Sequence, residues 1–231
     1  MPGNRKPNAD LTDDPTDNLF ERNAMQRRRF LRYATLLPLL GLARPTLAGE
    51  AFDEGIDYRR LAKPLPVARK GRAEVLELFW YGCPHCHQLE PLLDGWRARH
   101  PKVAFNRLPA VLGDSWAVHA RTYYAAESLG VLERIHKPLF DAIHVAGKQL
   151  NDESSLTAFA GGLGLDANRF RQAMSAFGVD AKVRQALETT RHVGLDGVPT
   201  LMVNGRYLTS PALTGSRERT LDVLDFLVAR S

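Results

Sequence analysis

From residue 75 the chain reads Val-Leu-Glu-Leu-Phe-Trp-Tyr, an almost unbroken apolar run interrupted by one acid, Glu77. Such a run predicts a strand buried on both faces. Residues 86–100 change to helical spacing, with Leu89, Leu92, Leu93 and Trp96 on one side and Pro91 expected to kink the helix. Residues 103–108 return to strand. Strand, helix and strand within about 35 residues make a βαβ unit with a parallel pair. Ahead of it, residues 49–70 read as an extended lead-in. Tyr58 to Leu61 is a candidate edge strand there, ended by Pro64 and Pro66.

Between Ser115 and His192 the alternation disappears. Residues 116–129, 132–145, 153–161, 167–176 and 180–193 each carry helical periodicity, and Gly130, Gly147, Gly164 and Gly178 punctuate them as turns or C-caps. Strand patterning resumes at 200–203 and 206–209. Asn204-Gly205 between these runs predicts a hairpin. Residues 217–229 form a closing amphipathic helix. A βαβ half and a ββα half therefore flank a helical insert of about 75–80 residues, enough to build its own core. The expected division is 49–114 for the first half, 115–193 for the insert and 194–231 for the second half, with 1–48 set apart.

Residues 1–24 are polar, without apolar periodicity, and are expected to be disordered. Arg27-Arg28-Arg29 then leads into a short apolar core, Ala34 to Leu42, and the small residues of Thr46-Leu47-Ala48 follow. This order is that of an export signal cleaved near Ala48. Its core is too short to span a bilayer, which takes about 20 residues. Arg27 to Leu31 also resembles a twin-arginine signal. An ordinary secretory signal fits the same residues, and Met25 is a candidate start. The leader carries 8 Lys/Arg and 5 Asp/Glu, so the rest of the chain has a net charge of +2 rather than +5. That balance gives no case for a nucleic-acid partner.

The chain has two cysteines, Cys83 and Cys86, in the tetrapeptide Cys83-Pro84-His85-Cys86. An exported protein with one close pair is not a disulfide-stapled scaffold, and so short a ring restrains the unfolded chain little. Delivered by a strand to a helix N-terminus, Cys83 meets unpaired N–H groups and the positive end of the helix dipole. Both favour thiolate, the nucleophile of disulfide exchange. Cys83 is thus the expected exposed nucleophile and Cys86 the buried resolving thiol. Pro84 suits a first helical turn, and His85 adds partial positive charge. Together these should bring the Cys83 pKa into the range of activated thiols, about 3.5–7.5. Other readings are a structural disulfide, a c-type haem attached through Cys83-Pro84-His85-Cys86-His87, and zinc held with His85 or His87. The redox reading needs neither cofactor nor metal. Glu77, in an apolar strand, should have a raised pKa unless it faces solvent or pairs with a lysine, for which Lys70 and Lys102 are candidates. His100, His119, His136, His144 and His192 read as surface or capping residues. The arginines read as solvated helix faces. Trp116 reads as core, and Tyr81 is a candidate groove residue beside Trp80.

A C-x-x-C βαβ half followed by a ββα half resembles the thioredoxin fold. The helical insert, the Cys-Pro-His-Cys tetrapeptide and Gly197-Val198-Pro199-Thr200 resemble the DsbA family of periplasmic disulfide oxidases, over about residues 50–231. The resemblance implies an α/β thioredoxin fold with an inserted all-helical domain and a cis Val198-Pro199 bond beside the disulfide. It also implies substrate-facing backbone at Val198, and a buried acid at Glu77 able to relay the Cys86 proton. The lowest thiol pKa of the range above is likewise a family property rather than a deduction from these residues. The implied activity is oxidation of cysteines in folding exported proteins through a mixed disulfide at Cys83. A DsbB-type quinone-linked membrane oxidase would restore the disulfide, and the protein would work as a monomer in the periplasm. The alternatives are a disulfide isomerase or reductase, and a non-catalytic peptide-binding module.

Overall fold

The computed structural model describes residues 52–67 and 71–230. The export signal, its cleavage point at Ala48, Met25 and the candidate Lys70 lie outside the described residues. Among the described residues five strands form one sheet: β1 (Arg59–Arg60), β2 (Glu74–Phe79), β3 (Ala104–Pro109), β4 (Thr200–Val203) and β5 (Tyr207–Thr209). Their spatial order is β1-β5-β4-β2-β3. β2 pairs in parallel with β3, as the βαβ reading requires, and antiparallel with β4. β4 and β5 form the expected hairpin, with Asn204 (φ 50°) and Gly205 (φ 62°) both left-handed at the turn.

Among the described residues there are eight helices. α1 (Pro84–Arg99) joins β2 to β3 and runs through Pro91 without ending. α2 (Asp114–Ser128), α3 (Leu132–His144), α4 (Glu153–Gly162), α5 (Ala167–Met174) and α6 (Phe177–Val193) lie between β3 and β4, and α7 (Pro211–Thr214) and α8 (Arg217–Ala229) follow β5. Gly178 is an exception to the predicted punctuation. It sits in the first turn of α6, and the helix ends instead at Gly194, in the left-handed region at φ 60°. The short α7 carries no full helical repeat and was not predicted. Asp152, Asp166, Ser210 and Ser216 each accept a hydrogen bond from a backbone N–H of the helix they open.

The period of two along β2 decides what surrounds the site. Leu76 and Leu78 point to a small apolar cluster with Leu61, Met202, Leu208 and Val193. Val75 and Phe79 point the other way, and Glu77 lies between them on that face. Val75 packs with Leu89, Leu93 and Trp96 of α1 and with α8. Phe79 belongs to the large core of the helical insert, which also takes in Tyr81, Cys83 and Cys86. The C-terminal end of β2 is therefore where sheet, α1 and insert share one interior.

Candidate active site

Cys83 is the N-cap of α1, in extended conformation (φ −92°, ψ 117°), with Pro84 opening the helix. Proline fits there because that position has no helical partner for an N–H. Cys86 follows one turn later and is inaccessible to solvent, while Cys83 keeps 7% exposure. The nucleophile is thus not openly exposed, as the sequence reading had it. The loop before β4 covers it, and the Cys83 Sγ lies 3.3 Å from the Val198 carbonyl oxygen. The Val198-Pro199 peptide bond in that loop is cis.

The Cys83 thiol is lowered to about 6. The largest contribution is the Cys86 side chain, which donates to the Cys83 sulfur, set against burial. Backbone N–H groups of Cys86 and His85 follow, and the charge of His85 comes last. The partner thiol, and not the helix dipole or His85 expected from the sequence, is therefore the main stabiliser of the Cys83 thiolate. Cys86 moves the other way, well above the ordinary thiol value. Burial is the main cause, and the Cys83 sulfur and Glu77 add to it. One thiol is poised to ionise and the other to stay protonated. Cys86→Ala should therefore raise the Cys83 pKa more than His85→Ala does. Iodoacetamide reactivity against pH in the reduced variants checks this order, and a larger shift for His85→Ala would reverse it.

His85 is exposed and borders a groove of about 750 Å³ with Val198, Pro199, Ser210, Leu213 and Arg217. Tyr81 is not a groove residue. It is fully buried, and its hydroxyl is 2.8 Å from His136 Nδ1. Trp80 folds over Gly82, next to Cys83, closely enough that a Cβ there would collide with its ring. Trp116, expected in the core, is only partly buried and stacks on Trp80 at 4.4 Å.

Glu77 is completely buried and does not pair with Lys102. Its partner is Arg107, directly opposite in the β2–β3 register, whose Nε donates to Glu77 Oε2 at 3.0 Å. The same guanidinium donates through Nη2 to Glu90 Oε2 at 2.7 Å, and His136 Nε2 stands 3.3 Å from that oxygen. Burial, together with the charge of Glu90, pushes Glu77 up to about 8 against the pull of Arg107. Burial also acts on Glu90, but His136 and Arg107 outweigh it and hold this acid below its ordinary value. Arg107 is raised, with the carboxylates offsetting its burial.

Sequence reasoning missed Glu90, Arg107 and His136. Glu90 could have been found, since it lies four residues after Cys86 on the same helix face. Arg107 gave no such signal, because strand register brings it in, whereas His136 shares the apolar face of α3 with Ile135, Leu139 and Phe140 and could have been placed inside by the helical period. His119 is buried as well, contrary to the surface reading, and its Nε2 lies 2.7 Å from the Leu150 carbonyl. His87 Nε2 sits 3.0 Å from Asp141 Oδ1. Among the described residues no group of three His, Cys, Asp or Glu side chains could hold a metal ion.

A mixed sheet built from βαβ and ββα halves, with a C-x-x-C pair at a helix start facing a cis-proline loop, defines a thioredoxin-fold thiol–disulfide oxidoreductase. Residues 98–220 match the family described as DSBA-like thioredoxin domain. The chain is 37% identical over 195 residues to the thiol:disulfide interchange protein DsbA of Azotobacter vinelandii, covering 84% of this chain and 91% of that protein. Against DsbA of Pseudomonas aeruginosa PAO1 the identity is 34% over 203 residues, covering 87% and 96%. Crystal structures of Pseudomonas aeruginosa DsbA (TM-score 0.74, 79% of this chain and 95% of that one) and of oxidoreductase DsbA from Xylella fastidiosa (0.72, 78% and 97%) are each 36% identical. The chain belongs to the DsbA family.

Proposed function

We propose that this protein is a periplasmic disulfide oxidase that passes the Cys83–Cys86 disulfide to cysteines of folding exported proteins. A substrate thiolate attacks the Cys83 sulfur, forming the mixed disulfide. The Cys83–Cys86 bond breaks, and Cys86 leaves and takes up a proton. Glu77, raised to about 8 and near enough to act on the Cys86 pKa, is the acid that supplies it. A second substrate thiolate then attacks the substrate sulfur and expels Cys83 as thiolate. The substrate gains a disulfide, and two electrons stay on the cysteine pair. An external oxidant of the DsbB type, linked to quinone, would remove them.

The observation that carries this reading is the contrast between the two thiols. A Cys83 held at about 6 is a good leaving group, and it stabilises the reduced pair, which makes the disulfide oxidising. Pro84 and His85 shape the turn that presents it. The Val198-Pro199 loop and the adjoining groove are the proposed seat for a substrate segment, whose backbone would lie beside Val198. In this reading 49–114 and 194–231 carry the chemistry, 115–193 closes the site from the other side, and the protein works as a monomer.

Equilibration of the pair with glutathione tests the reading against the reductase alternative. A potential well above about −200 mV is expected, and one near about −270 mV, a reductase value, would overturn it. Residues 1–48 are the proposed export signal. Mature protein from the periplasm should start near Gly49 by N-terminal sequencing, and a cytoplasmic protein retaining 1–48 would refute the compartment.

A further inference from the structure

Glu77 and Glu90 share one buried guanidinium, that of Arg107, through two different nitrogens. With the nearby His136 imidazole neutral, two carboxylates against one fixed cation leave the interior one charge short of neutral, and a single proton on either acid restores neutrality. The second oxygen of each, Oε1, is buried and has no partner among the described residues. The deeper burial of Glu77 favours the proton there, and the groups that face Glu90 add to or oppose that preference.

Tyr81 and His136 add to it. The Tyr81 hydroxyl is 2.8 Å from His136 Nδ1. Burial raises the Tyr81 pKa well above the ordinary phenol value, so the group stays an O–H and can donate. A neutral imidazole has one N–H, and when Nδ1 accepts, the hydrogen resides on Nε2. His136 Nε2 is buried and makes no well-aligned hydrogen bond, but it lies 3.3 Å from Glu90 Oε2. The opposite tautomer would aim a lone pair at that oxygen. Phe79 and Phe140 pack edgewise on the imidazole at 5.2 and 5.3 Å. Glu90, Arg107 and His136 also border a cavity of about 170 Å³, which Glu77 does not line.

We propose that Tyr81 and His136 act as a positioning pair that keeps Glu90 ionised and so places the shared proton on Glu77, beside Cys86. This rests on the reading that Glu77 serves Cys86. The other groups acting on Glu77 are Arg97, Glu90 and Cys86 of α1 and Arg107 of β3, and Tyr123 of α2 feels its charge. Asp94 adds to the Arg107 end at 3.6 Å. His136 is the only imidazole in contact with either carboxyl among the described residues.

The test is a carboxyl ¹³C NMR titration of the reduced protein labelled at glutamate, with signals assigned through Glu77→Gln and Glu90→Gln. In the unmodified protein Glu77 should titrate near about 8. In His136→Phe, which keeps an aromatic ring, the Glu77 midpoint should fall by about one pH unit or more, a tenfold change in proton affinity, and that of Glu90 should rise. Tyr81→Phe, which touches neither carboxyl, should shift both the same way but less, and His136→Gln, which retains an N–H donor, should restore much of the original order. Tyr81→Phe decides the matter should His136→Phe fail to fold. A Glu77 midpoint unmoved in folded Tyr81→Phe overturns the proposal, even with the glutathione equilibrium of the unmodified protein as expected. Failure of the oxidase reading would instead appear in that equilibrium, without any variant.

Discussion

Cys83→Ser is expected to abolish oxidation of a reduced, unfolded substrate protein, whereas Cys86→Ala should leave a protein that accumulates covalent complexes with disulfide-bearing partners. The asymmetry follows from the positions of the two sulfurs. Cys83 caps α1, retains the only exposed edge of the pair and is lowered to about 6. At pH 7 such a thiol is about nine-tenths thiolate. Cys86 is sealed beneath the helix and held protonated by burial. It can resolve a mixed disulfide formed on its neighbour but cannot begin one with a protein-sized substrate. Non-reducing electrophoresis after exposure to oxidised substrate reads the complexes. Titration of Cys83 alkylation in the reduced protein should give a midpoint near about 6. A midpoint near the unperturbed value of about 8.5, or complexes forming in Cys83→Ser, would remove the activated nucleophile from the account.

The largest effect on stability should come from Arg107→Met. The side chain spans similar volume, but the exchange leaves Glu77 and Glu90 facing each other without their cation. Removing one partner of a buried ion pair costs about 3–5 kcal/mol. The loss should depend on pH with a definite sign. Glu77 is raised in the folded protein from 4.5 to about 8, so between these values the folded state holds more protons than the unfolded one. Its contribution is most favourable below the unfolded pKa and declines as pH rises toward about 8. Without Arg107 both acids become harder to ionise, and the penalty should be greater at pH 8 than at pH 5. Urea unfolding at the two pH values measures it. An equal loss at both would mean that the cost is one of packing rather than of charge.

The sequence by itself determined most of the architecture and the reacting atoms. The apolar run at β2, the helical spacing of α1 and the Asn204-Gly205 turn name their elements because each has a local cause: burial on two faces, a repeat of 3.6, and a left-handed pair. Cys83, Pro84, His85 and Cys86 were legible for the same reason, since all lie within one helical turn. Val198 and Pro199 were reached through the family resemblance, because no local rule places a loop beside a helix more than a hundred residues earlier. What only the tertiary structure decided is the electrostatic setting of the buried acid. Glu77 could be marked as unusual in an apolar strand, but a lysine was sought where Arg107 stands. That arginine is paired by parallel register, a property of two strands and not of either one. His136 and Tyr81 looked like a surface histidine and a groove tyrosine. They join the interior because α3 packs over the end of β2 and against α1; periodicity places each on an inward face, Tyr81 in step with Phe79 and His136 with Leu139 and Phe140, but only the packing brings the two rings together. Local chemistry follows from neighbours in sequence, whereas proton affinities follow from neighbours in space.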